Sequence, residues 1–327
     1  MCERKLSHCY QRTIIKKVYV RQVIKIKSIF PTDKNEVDLV KFINTYQYFS
    51  PKDLEYFFNT TYYPKRISKL IQNNLLRRYK KFLVLGEDGY NFMKILGIET
   101  TQLRYQQKYA TRLKFMSHLA AFFRTSNVTF TPSFKLKDKT AFTESSRKYI
   151  GILNIFGTKY LTYHISKEQS SKYLNSVIYD IQKELKYKNI IILIDDISKI
   201  ELSNFEFGLN SVIICEDSDK ELEKLKYLQQ VKWREIINQE FGKNIYLSDS
   251  KFFDYTDKKN KYIVYFYLID TEKVNRIRTF MQNNIKQKVE IICDCSIVQY
   301  LAKELVNCNL YPIEINNFIE REIHFYE

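Results

Sequence analysis

Three aspartates stand where this chain could do chemistry, each directly behind an apolar run that reads as a β-strand. Asp195, followed by Asp196, closes NIIILI; Asp270 closes KYIVYFYLI; Asp294 follows VEIIC. Carboxylates held at fixed separation at the carboxyl ends of strands can bind magnesium and activate water against a phosphodiester. The same residues also cap helices and end strands without any ligand. No P-loop, Gly-rich dinucleotide turn or kinase signature stands beside them. Helix caps are therefore the favoured reading, with a metal-dependent nickase on Asp195, Asp196 and Asp270 kept as the alternative. The 26 tyrosines leave a tyrosine nucleophile open. Neither the histidine cluster of a rolling-circle relaxase nor the spaced Arg/His set of a tyrosine recombinase accompanies them. The histidines at 8, 118, 164 and 324 are scattered, and the cysteines at 2, 9, 215, 293, 295 and 308 form no C-x-x-C pair. Cys293 and Cys295 share a strand face, without the turn a zinc knuckle needs. The expectation is no catalytic residue, no metal and no cofactor. Cysteines of this kind suit a reducing, cytoplasmic compartment.

The second chemistry is recognition of a polyanion. Residues 1–150 hold 29 Lys and Arg against 11 Asp and Glu, a formal +18, whereas residues 151–327 hold 24 against 26, a formal −2. Compositional drift in a Lys/Tyr/Asn/Ile-rich chain would spread the excess evenly. A basic half joined to a neutral half reads as a nucleic-acid-binding module on a separate body.

The elements that must position these charges follow from periodicity. NEVDLVKFINTYQYF is a predicted helix, with Val37, Leu39, Val40, Phe42 and Ile43 on its inner face. Ser50 is a good N-cap, and Pro51 is pre-set for the first helical position of PKDLEYFF. A third helix starts near Tyr63-Pro64 and runs through PKRISKLIQNN. Leu75-Leu76 and Phe82 to Leu85 read as two short strands around a basic middle, Gly86 to Gly89 as a turn, and YNFMKILG as the start of a helix. Three helices and a two-stranded ribbon make the winged helix-turn-helix plan. On the third helix Ile67, Leu70 and Ile71 share the inner face. Lys65, Arg66, Lys69, Gln72 and Asn73 fall to the outer face, which suits base edges and phosphates in a major groove. Tyr62 and Tyr63 could place hydroxyls on the backbone. Arg77, Arg78, Lys80 and Lys81 lie around the wing, within easy reach of flanking phosphates. The competing reading is a helical subdomain with solvated charges, or a protein-binding winged helix.

A long packing helix is predicted over roughly 100–123, with Leu103, Tyr109, Leu113, Met116, Leu119 and Phe122 recurring at helical steps. From 128 the period changes to two, and strands alternate with helices to the end. The strands are VTFTPSFKL, a pair within KYIGILNIFGTKYLTYHI joined across Gly157-Thr158, NIIILID, SVIIC, KYIVYFYLI and VEIIC; the helices are 167–186, 217–237, 271–285 and 296–306. Such alternation indicates an α/β body. Trp233 is expected to pack its helix, and His118 to sit within a helical bundle.

The segment from Phe42 to Gly97 resembles the N-terminal winged helix of the plasmid replication-relaxation family. Arg66-Ile67-Ser68-Lys69-Leu70-Ile71-Gln72-Asn73-Asn74-Leu75-Leu76-Arg77-Arg78 takes the place of that family's R-R-L-x-x-L-x-x-x-G-L-L-x-R. Asn74 stands where the family often has Gly, and Asn tolerates a left-handed turn nearly as well. The similarity spans about residues 34–165. It implies plasmid or conjugative-element DNA handling, in replication or relaxosome control. It also implies a restriction-nuclease-like second domain, with an acid before one strand and an E-x-D or E-x-K on the next. Here Ile150 stands at the first place, and Thr162 and His164 at the others. Without carboxylates there, that domain is expected to be a scaffold.

The fold class expected is α/β multidomain: a basic arm or strand at 1–30, a winged-helix domain at 31–98, a connecting helix at 99–126 and an α/β domain at 127–327, with a candidate division near 200–210. No run approaches the roughly 18 apolar residues of a membrane span, and the basic N-terminus lacks an apolar signal core. The leading expectation is a sequence-specific, non-enzymatic double-stranded-DNA-binding protein of a plasmid or other mobile element, working as a dimer. The nickase is the first alternative. An adaptor for replication or transfer proteins is the second.

Overall fold

The computed structural model of the protein describes residues 31, 33–58, 63–100, 107–136, 148–166, 169, 171–183, 187–199, 201–257, 261–284 and 286–319. The fold is mixed α/β. It divides into two compact units, one ending at Ser117 and one beginning at His118. The division falls within helix Gln107–Phe122, inside the stretch read as a connecting helix. The N-terminal arm and Tyr62 lie outside the described residues.

The first unit opens with α1 (Lys34–Tyr46). Asp33 is its N-cap, accepting a hydrogen bond from the Asn35 amide at 2.8 Å, which satisfies one donor the helix start leaves orphaned. Leu39, Val40 and Ile43 are fully buried, while Val37 and Phe42 are half-buried. PKDLEYFF, expected as the second helix, is a shorter 3-10 helix, Pro51–Tyr56, with Ser50 as its N-cap and Pro51 at its first position. α2 (Tyr63–Gln72) then leads into the antiparallel hairpin β1 (Leu76–Tyr79) and β2 (Phe82–Leu85). Phe49 adds one bridge to Leu83, so a third short segment pairs beside the hairpin. α3 (Glu87–Ile95) follows. The predicted turn at Gly86 to Gly89 is instead the N-cap and first turn of α3, because Glu87 and Asp88 favour the positive end of a helix dipole. α4 (Gln107–Phe122) buries Leu113, Met116, Leu119 and Phe122.

The second unit holds two sheets. The six-stranded sheet has the order β11-β7-β6-β5-β4-β3. Its strands are β3 (Val128–Pro132), β4 (Gly151–Ile155), β5 (Thr158–Ile165), β6 (Asn189–Ile194), β7 (Ser211–Glu216) and β11 (Ile269–Asp270). β3, β4 and β5 form an antiparallel meander; β5, β6 and β7 run parallel, with α5 (Ser171–Lys183) between β5 and β6. β6 is buried over five consecutive residues, the signature of a strand covered on both faces. Residues 201–210 lie between β6 and β7, which pair side by side. The five-stranded sheet has the order β13-β12-β10-β9-β8. It comprises β8 (Tyr246–Leu247), β9 (Tyr255–Thr256), β10 (Tyr262–Phe266), β12 (Val289–Asp294) and β13 (Asn309–Ile313). α6 (Asp219–Lys226), α7 (Trp233–Phe241), α8 (Thr271–Asn283) and α9 (Val298–Glu304) complete the unit. Ile190, Ile192, Val212 and Ile214 from one sheet share a core with Val264, Phe266, Val289 and Ile291 from the other.

Several expectations are corrected. The charged helix expected over 217–237 is two helices, because Val231 leaves helical geometry to bridge Ile319 and the Lys232 amide bonds to the Phe318 carbonyl. KYIVYFYLI is two strands in different sheets, β10 and β11, separated by buried Tyr267 and Leu268. The turn between β4 and β5 is Phe156-Gly157, one residue earlier than expected. Both take positive φ, 47° and 86°, as a two-residue hairpin turn twisted to match its strands demands. Trp233 does pack beside its helix, stacked on Tyr265 at 4.1 Å between centroids. His118 sits 3.3 Å from Asp219.

Candidate functional site

The basic surface is built on α2 and the hairpin. Ile67 and Leu70 are buried, while Lys65, Lys69 and Gln72 are exposed, so the helix has one apolar and one basic face. Ile71 is only half-buried, at the edge of the inner face, and Asn73 is half-buried past the helix end. Tyr63 stacks on Phe58, with centroids 6.3 Å apart. Arg66 is paired within the chain, at a partly exposed place: its Nη1 lies 2.8 Å from Oδ2 of Asp33, the N-cap of α1. Burial pushes the Asp33 carboxyl up, but the Asn35 amide and the Arg66 guanidinium outweigh it and hold it below the usual carboxylate value. Glu36 is raised by burial and by Asp33, against the opposing pull of Arg66 and Lys69.

On the hairpin, Arg77 and Arg78 are exposed on β1, and Lys80 and Lys81 form the two-residue turn. Arg77 Nε donates to the Leu85 carbonyl at 3.3 Å, which ties its stem to the opposite strand. The hairpin is set against α2 by a tight helix end. Asn74 takes φ 51°; its amide bonds to the Ile71 carbonyl, and the Leu75 amide to the Leu70 carbonyl. This is a Schellman ending with Asn at the left-handed position. A Cβ on Gly86 would lie 2.0 Å from the Asn74 carbonyl oxygen, and one on Gly89 2.2 Å from that of Leu75. Only glycine lets α3 start this close to the turn.

A second constellation lies in the other unit, at the carboxyl ends of three adjacent parallel strands. His164 ends β5 but for one residue, Asp195 follows β6 and Asp217 follows β7. His164 Nε2 is 3.2 Å from Asp195 Oδ1 and 3.4 Å from Asp217 Oδ2. The Asp195 and Asp217 amides bond to the carbonyls of Ile165 and Ile194, which extends the ladder and fixes the backbone beneath both carboxylates. Burial lowers the tendency of the His164 ring to hold a proton, but hydrogen bonds and charge from Asp195 and Asp217 win and raise its pKa.

The three strand-ending aspartates singled out in sequence do not meet. Asp270 turns to the start of β7, accepting from Ser211 Oγ at 2.7 Å and the Val212 amide at 3.2 Å, and it caps α8. Asp195 meets Asp217 past the other end of β7, so at the rise of a strand the two sites lie about 20 Å apart. Asp196 accepts from Ser198, amide and hydroxyl. Asp294 caps the turn at Cys295–Ile297 and pairs with Lys224 Nζ at 2.9 Å. Of the nuclease-like positions, Ile150 and Thr162 are buried, and Thr162 Oγ1 donates to the Tyr160 carbonyl. His164, on the same face of β5 as Thr162, is the one that reaches carboxylates, supplied by the next two strands. Asp217 escaped the sequence reading because DSDKELEKLK looks like a helix start. Its place behind SVIICE is nevertheless the pattern that marks Asp195 behind NIIILI.

No family model, curated protein or solved structure matches the chain. Among the described residues no helix is long and apolar enough to cross a membrane.

Proposed function

We propose that residues 31–98 form a winged helix that binds double-stranded DNA, with α2 in the major groove and the β1–β2 hairpin on a flanking phosphate run. One observation carries this reading. Lys65, Lys69 and Gln72 are exposed on the helix face opposite buried Ile67 and Leu70, in the half of the chain that holds the formal +18. A helix so presented fits a major groove, and cations beside it neutralise phosphates and release counterions. Arg77, Arg78, Lys80 and Lys81 supply further phosphate contacts. Arg66 orients α2 through Asp33 rather than reading a base.

The DNA is that of a plasmid or other mobile element, and the process is replication, transfer or their control. This part rests on the resemblance of Arg66 to Arg78 to the replication-relaxation pattern. The protein acts by binding, as a dimer on repeated sites, and not by cutting. A nickase on Asp195, Asp196 and Asp270 has no support from their placement.

The test is binding of the full-length protein to random and origin-derived duplexes over a salt series, read by fluorescence anisotropy. Salt-dependent binding that is tighter on origin sequence supports the reading. Absence of salt-dependent affinity for any duplex ends it.

A further inference from the structure

We propose that His164, Asp195 and Asp217 bind one divalent transition-metal ion of the manganese–zinc class. The site goes beyond the DNA-binding reading and stands in the other unit. Among the described residues these three form the one group of His, Cys, Asp and Glu side chains whose ligand atoms converge, all within 4.8 Å of one another.

The geometry suits an ion. Ligand atoms about 2.0–2.2 Å from a metal are about 2.8–3.1 Å apart along an octahedral edge and about 3.3–3.6 Å apart along a tetrahedral one. Nε2 stands 3.2 Å from one carboxylate oxygen and 3.4 Å from the other. Hydrogen bonding alone suits the group less well. Nε2 carries at most one proton, and two carboxylates compete for it. Among the described residues Asp217 has no cationic partner but His164. A divalent ion at the centre satisfies all three atoms together.

The scaffold also suits an ion. Each ligand sits at the carboxyl end of a different strand in one parallel run, where open α/β sheets hold their ligands. The backbone bonds of Asp195 and Asp217 fix the separation without help from the side chains. The Asp195 side chain is the most open of the three, 27% exposed against 13% for His164 and 18% for Asp217, so water can reach an ion from that side. One imidazole and two carboxylates select a borderline ion over calcium, which takes oxygen ligands alone.

The test uses the full-length protein stripped with a chelator and titrated with manganese chloride, with free ion followed by electron paramagnetic resonance. One saturable ion per chain is expected, displaced by zinc. Pulsed measurement on the wild-type complex should show coupling to an imidazole nitrogen, a readout that needs no variant. Asp217→Asn should weaken binding by about tenfold or more. Asp196→Asn, whose carboxylate is turned to Ser198, should bind as wild type. Failure to bind manganese up to millimolar concentration overturns the proposal. So does binding without nitrogen coupling, or a folded Asp217→Asn protein that binds undiminished. These outcomes are independent of DNA affinity.

Discussion

Arg66 Nη1 lies 2.8 Å from Asp33 Oδ2, so the basic helix α2 is clamped to the N-cap of α1 by one of its own cations. The pair is partly exposed, at 40% and 36% for the two side chains, and its direct contribution is about 0.2–1 kcal/mol. Its larger effect is on where the helix points. Arg66→Ala should lower stability by under about 1 kcal/mol in urea denaturation. Asp33→Asn keeps a capping side chain but releases the guanidinium, and should weaken duplex binding by letting α2 shift, with little loss of stability. Unchanged or tighter binding in a folded Asp33→Asn protein would show that the pair does not set the helix for DNA.

Lys65 and Lys69 should separate from Leu70. The Lys65→Ala/Lys69→Ala protein should melt as wild type, because exposed side chains leave no cavity. Its log–log salt dependence should become shallower by roughly one unit per lost phosphate contact. Leu70→Ala, at a side chain only 2% exposed, should cost about 2–5 kcal/mol through the hole it leaves. A folded double variant with the wild-type salt slope would remove α2 from the interface.

The helix end at Asn74 makes a third prediction. Gly86→Ala should destabilise by about 1–3 kcal/mol, because the new Cβ would have to push the Asn74 carbonyl away from 2.0 Å. Asn74→Ala should cost about 1–2 kcal/mol for a left-handed φ of 51°. Asn74→Gly removes that backbone strain and should cost less. Chemical denaturation of the three variants checks the order.

Much of the first unit was legible because its signals are local. Ser50 and Pro51 announce a helical turn by their own chemistry, and Asn74 announces the helix end. Lys65 and Lys69 fall opposite Ile67 and Leu70 by helical spacing alone. The second unit was less legible because its decisive contacts are distant in sequence. Val231 breaks a helix-like run to bridge Ile319, and nothing local says so. β13 and the two-residue strands β8 and β9 draw their stability from neighbours, not from their own pattern. The His164 cluster needs the parallel order of β5, β6 and β7, and single strands do not encode that order.

The pH dependence should show at Asp294. Burial pushes its carboxyl up, but bonds from Ser296 and Lys224 and the Lys224 charge win and hold it below the ordinary 3.8. A depressed folded pKa stabilises the protein above the unfolded value, and the contribution is lost as pH falls through the folded one. Lys224 is 3% exposed and also meets Glu221 at 2.8 Å, so Lys224→Met strands two carboxylates and should cost about 3–5 kcal/mol. Its acid-unfolding midpoint should move to higher pH, as followed by circular dichroism. An unmoved midpoint would mean that Lys224 does not govern Asp294.

Tyr267 and Leu268 are all that separate the β10 ladder from the β11 ladder, and both are buried. Two residues reach about 7 Å at full stretch. Residues of both sheets also share one buried core, so the two sheets travel as one plate. Any motion that answers an event at the carboxyl ends of β5, β6 and β7 therefore belongs to the segments that leave those strands. The layers beneath stay fixed, like a bench under moving tools.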